Sequence, residues 1–100
     1  MNDGVATDAA TLTIAGEFGI YRAAELKPLL LAHVVDIDEP ALALGSVTEM
    51  DASGLQLLLF ARREAAALGK SLHISSASPA VLEVLGVAGF AGASLDEIAQ

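Results

Sequence analysis

Ser53 has the setting in this 100-residue chain that most invites chemistry. It stands in Asp51-Ala52-Ser53-Gly54, between an apolar run and a long helical stretch, with Gln56 three residues further on. A serine followed three positions later by glutamine has the capping-box spacing: the hydroxyl accepts from a first-turn N–H while the glutamine reaches back to the cap. This predicts Ser53 as the N-cap of a helix, a role that contributes about 1 kcal/mol. The same place tolerates a phosphate, because free amides and the helix dipole favour negative charge there. A phosphoryl group would add roughly −1.5 to −2 charges. The fold would survive while its surface potential changed sharply. Asp51 reads as a turn former.

Other chemistries lack their residues. The chain has no cysteine, so disulfides, thiol catalysis and thiolate metal sites are excluded. His33 and His73 stand far apart without a ligand motif, so no zinc site is expected. Ser53 has no evident histidine and acid constellation for nucleophilic catalysis. No Gly-x-x-x-x-Gly-Lys-[Ser/Thr] motif is present to cradle a nucleotide. The reading is therefore not an enzyme, with no cofactor and no metal. Five basic residues against 13 acidic ones give a net charge of −8, which argues against nucleic acid and anionic membrane as partners. The longest apolar run, Leu57 to Ala61, is far short of a membrane span, so direct membrane insertion is not expected. The first ten residues lack a signal-peptide pattern, and a bacterial cytoplasm is the default expectation.

Length predicts a single domain over residues 1–100, of α/β class. A short strand is expected near Val5. Thr11 to Phe18, with Leu12, Ile14 and Phe18 on one side at period two, reads as a half-buried strand ending at Gly16-Glu17. Ala23 to Val34 favours helix, with a kink or a late start forced by Pro28. Ala41 to Val47 is a near-continuous apolar run, the pattern of a strand covered on both faces. The long helix follows and ends at Leu68, closed by Gly69-Lys70. Ser71 to Ser75 predicts a strand, Ser78 an N-cap, and Pro79 to Leu85 a helix. Phe90 reads as a core plug and Leu95 to Ala99 as a short last helix. Alternating strands and helices imply a sheet with helices packed against it.

Winding the long helix at 100° per residue places Gly54, Leu57, Leu58, Ala61, Ala65 and Leu68 on one core stripe. Leu59 and Phe60 fall off it, flanking Gln56 and Arg63. Two large apolar residues there form either a docking surface or a face covered by another helix or by a homodimer. Arg62 and Arg63 read as solvated.

The stretch Val47-Thr48-Glu49-Met50-Asp51-Ala52-Ser53-Gly54-Leu55, then a helix, Gly69-Lys70, a strand and Ser78-Pro79-Ala80-Val81, resembles the STAS domain. Gly16-Glu17-Phe18 looks like that family's Gly-Glu-Leu signature, and the likeness runs from about Thr11 to Phe90. The family includes anti-sigma factor antagonists, chemotaxis-associated regulators and small cytoplasmic subunits of lipid-transport ABC systems. The resemblance implies a mixed β-sheet of about four to five strands with helices mainly on one face. It implies that Ser53 is the phosphoacceptor of a serine kinase of the anti-sigma type, reset by a phosphatase. Asp51, Ala52, Gly54, Gln56, Leu59, Phe60 and Arg63 would then form the partner-binding surface around it. Ala52 stands where a second serine or threonine is common in the family, leaving Ser53 the less ambiguous acceptor. The alternative within the family is a transporter subunit docked on an ABC ATPase.

Overall fold

The computed structural model describes residues 4–90. Its strands form where short apolar–polar alternations occur. In β2 (Thr11–Ile14), Leu12 and Ile14 are buried while Thr11 and Thr13 are half-buried; β4 (Ala41–Leu44) repeats this with Leu42 and Leu44. With β1 (Val5–Asp8) and β6 (His73–Ala77) they make a four-stranded mixed sheet in the order β1-β2-β4-β6. The β1–β2 pair is antiparallel, and the β2–β4 and β4–β6 pairs are parallel.

Two predicted strands are each broken in two. Thr11 to Phe18 divides at Ala15 into β2 and β3 (Gly16–Phe18). The run from Ala41 to Val47 divides at Gly45-Ser46 into β4 and β5 (Val47–Met50). Backbone partners cause the second break: Gly45 N–H donates to Ser76 Oγ at 3.1 Å and Ser46 O accepts from Gly16 N–H at 3.0 Å. A separate parallel pair, β3–β5, results. Arg22 holds the first break, its Nη1 donating to Ala15 O at 2.7 Å and Glu17 O at 2.8 Å.

Helix α1 (Ala23–Asp36) runs through Pro28. Proline removes the bond to the carbonyl four residues back; Ala24 and Pro28 both face solvent, where water can serve that carbonyl. Leu26, Leu30, His33 and Val34 form the buried stripe of α1 at helical spacing. His33 Nε2 lies 3.0 Å from Ala41 O, and Lys70 Nζ donates to the last carbonyls of α1, Val34 O at 2.8 Å and Val35 O at 2.9 Å.

Helix α2 (Ala52–Ala67) buries Gly54, Leu57, Leu58, Ala61 and Ala65 as its period requires. Leu68, expected on the same stripe, is 51% exposed, because the helix has already ended there. Gly69 at φ +75° lets Gly69 N–H reach Ala66 O and Lys70 N–H reach Ala65 O, a Schellman closure. Helix α3 (Pro79–Leu85) begins as expected, Ser78 Oγ accepting from Val81 N–H at 3.2 Å. The core joins Leu12, Ile14, Leu42 and Leu44 of the sheet to Leu26, Leu30 and Val34 of α1, Leu58 and Ala61 of α2, and Val81 and Leu85 of α3. The helices thus cover one face of the sheet. The Phe90 side chain and the Leu95–Ala99 helix lie outside the described residues.

Candidate functional site

The turn from β5 into α2 overturns the predicted capping box. Asp51, extended at φ −123° and ψ −173°, is the N-cap, and its side chain accepts from Gly54 N–H at 3.1 Å. Its other carboxylate oxygen accepts from Ile20 N–H at 3.1 Å, fastening the start of the α1 segment to the start of α2. These bonds hold the Asp51 carboxyl below its ordinary value. The Ile20 N–H contributes most; burial opposes it, and the amides of Gly54 and Ser53 add to it. A carboxylate outcompetes a hydroxyl for first-turn amides because its hydrogen bonds are charge-assisted. Ser53 is displaced to the second position of the helix. Its hydroxyl makes no hydrogen bond among the described residues.

Two glycines make the junction possible by close approach. A Cβ on Gly54 would run into Phe18 O, and one on Gly19 would sit 2.6 Å from Asp51 Oδ2. In both places a backbone or a capping carboxylate occupies the space that a side chain would need.

Ser53 is half-buried and lines an open cavity of about 330 Å³ between α1 and α2, with Ala23, Lys27, Gln56, Leu57, Phe60 and Arg63. Three of the residues predicted around the serine, Gln56, Phe60 and Arg63, are thus brought together with it. Sequence reasoning missed Lys27, which comes from α1 and places its Nζ 5.0 Å from the centre of the Phe60 ring. Asp51 and Ala52 face elsewhere. With Leu55, Glu83, Val84, Val87 and Ala88 they line a second cavity of about 350 Å³ toward α3. Leu59 is half-buried and packs against the core, and Gly54 is buried beneath the turn. Arg62 is a correction: it is only 8% exposed, because it lies one turn from Leu58 and Ala65 on the inward side, and its Nε has no hydrogen-bond partner among the described residues. Burial pushes its guanidinium pKa down. Ile20 and Tyr21 are 62% and 89% exposed beside Asp51, and only the position of the β3–α1 connection reveals them.

A family model described as "Mlab, STAS domain" matches residues 2–97. The chain belongs to the STAS domain family. Among solved structures, this STAS domain is similar to the anti-sigma factor antagonist SpoIIAA in its unphosphorylated form, with TM-score 0.67 and 20% identity over 94% of this chain and 90% of that one. It is also similar to a putative anti-sigma factor antagonist from Thermotoga maritima, with TM-score 0.70 and 16% identity over 86% of this chain and 77% of that one. These likenesses show the fold. No curated protein matches the chain. Among the described residues no helix is long and apolar enough to cross a membrane.

Proposed function

We propose that this STAS domain is a protein-binding module whose docking is switched by phosphorylation of Ser53. A serine kinase of the anti-sigma type would transfer the terminal phosphoryl of ATP to Ser53 Oγ, releasing ADP and the hydroxyl proton, and a phosphatase would reverse it. The module works in the cytoplasm in anti-sigma or chemotaxis-linked signalling and catalyses nothing itself. One observation carries the reading: Asp51 holds the N-cap, so the Ser53 hydroxyl has no structural duty and lines an open cavity. A modification there leaves every cap bond in place. The partner-facing surface is the Ser53 turn with Gln56, Phe60 and Arg63.

Intact mass before and after incubation with ATP and the kinase encoded nearest the gene tests acceptor identity; wild type gains one phosphate and Ser53→Ala none. In a pull-down with that kinase, Ser53→Ala binds as wild type and Ser53→Asp binds at least tenfold more weakly, about 1.4 kcal/mol. Equal binding by all three removes the switch. That result would favour a second reading, a subunit docked on an ABC ATPase independently of Ser53. The observation behind this reading is the apolar α3-side cavity, with Val87 87% exposed at its margin.

A further inference from the structure

We propose that in the phosphorylated protein Lys27 leaves the Phe60 ring and pairs with the phosphate on Ser53, bridging α1 to α2. The inference rests on Ser53 being the acceptor and concerns what the phosphate does once there. Lys27 is exposed, and its one recorded contact among the described residues is the Phe60 ring at 5.0 Å. In a chain with 13 acidic residues, this ammonium faces the serine's cavity without a carboxylate. A cation over an aromatic face at an exposed site is weakly held, whereas an ammonium–phosphate pair is a charge-assisted bond. The exchange therefore runs toward the phosphate.

Helix geometry selects Lys27 over the other cation of the cavity. Strands β3 and β5 are parallel and each leads into a helix, and the Ile20–Asp51 bond sets Ile20, three residues before α1, level with the N-cap of α2. Counted from that bond at about 2 Å per residue through the 3-10 turn Ile20–Arg22 and about 1.5 Å per α-helical residue, Lys27 stands about 12 Å along, between the levels of Ser53, at about 3 Å, and Phe60, at about 13.5 Å, on α2. Helical side chains lean toward the N-terminus. A swing of the flexible Lys27 stem in that direction carries Nζ from the ring toward Ser53. Arg63, ten residues beyond Ser53, lies about 15 Å further along the axis and is out of bonding range.

The test uses full-length protein carrying phosphoserine at position 53, inserted during translation, and titrates the phosphate by ³¹P NMR. A free phosphoserine has its second pKa near 6. The Asp51 carboxylate and the α2 amides act equally in every variant, so differences between variants isolate the cations. Lys27→Met keeps the apolar stem on Phe60 and should raise the phosphate pKa by about half a unit relative to wild type. Arg63→Gln should move it by less than a third of that. On phosphorylation the Phe60 ring-proton shifts should also change, and only where Lys27 is present. Coincident wild-type and Lys27→Met titrations overturn the pairing; so does an Arg63→Gln shift as large as that of Lys27→Met, which would mean a general field. No kinase or partner enters this test. If the Lys27 shift appears but partner binding ignores the phosphate, the pairing stands and the switch falls; if the phosphate releases the partner with no Lys27 shift, the reverse holds.

Discussion

The two flanks of α2 start from the same turn and have opposite chemistry. Toward α1, Ser53, Gln56, Phe60 and Arg63 share a cavity with Lys27. Toward α3, Ala52 and Leu55 share one with Val84, Val87 and Ala88, and its charged members are Asp51 and Glu83. The hollows are almost equal in size, about 330 and 350 Å³, so size does not distinguish them. Charge does. Adjacent helical residues point about 100° apart, which sends Ala52 to the carboxylate side and Ser53 to the cationic side. A phosphate at position 53 would join the flank that carries Lys27 and Arg63, whereas one at position 52 would join the flank that carries Asp51 and Glu83. The alanine beside the serine thus occupies the flank where added negative charge would be repelled.

The largest expected effect breaks both flanks at once. Gly54→Ala drives a Cβ into Phe18 O, a backbone atom that cannot step aside, and should cost about 2 to 3 kcal/mol in urea denaturation. Next, Leu55→Ala should cost about 1 to 2 kcal/mol, because Leu55 is half-buried and packs on the core, whereas exposed Gln56→Ala should be almost neutral. The two denaturation curves measured together show whether the α3 flank is structural and the α1 flank free. A smaller effect separates Asp51 from Ser53. Because the Asp51 carboxyl is held below its unfolded value, the stability it confers is fully present above the ordinary carboxylate pKa of about 4 and is lost as pH falls through the lowered value. Asp51→Asn keeps an acceptor for the cap and should remove that share of the acid-limb slope. The smallest change belongs to Ser53→Ala, within about 0.5 kcal/mol of wild type at neutral pH. A loss of about 1 kcal/mol would return the cap to the serine.

The core and the order of elements were legible because they follow local periodicity. Leu12, Ile14 and Phe18 alternate into the core, Leu57, Leu58, Ala61 and Ala65 recur at helical spacing, and Ser78-Pro79 announces α3. The strand breaks at Ala15 and Gly45-Ser46 were not, because each is made by backbone partners distant in sequence: Gly16 meets Ser46, and Gly45 meets Ser76. Arg62 was read as solvated for the same reason, since composition does not say which neighbours cover a side chain.

At the site the division is sharper. The sequence alone determined that a serine would lie in the first turn of the second long helix beside an aspartate and a glycine, because turn and helix chemistry are local. Which of the two oxygen-bearing side chains takes the cap was decided by tertiary structure: Ile20 N–H, 31 residues before Asp51 in sequence, engages the carboxylate and holds it over the helix start. Lys27 comes to face Ser53 by the same route, through two parallel strands that set α1 beside α2. Spacing along the chain carries no information about such a meeting, because its distance is set by packing across the fold.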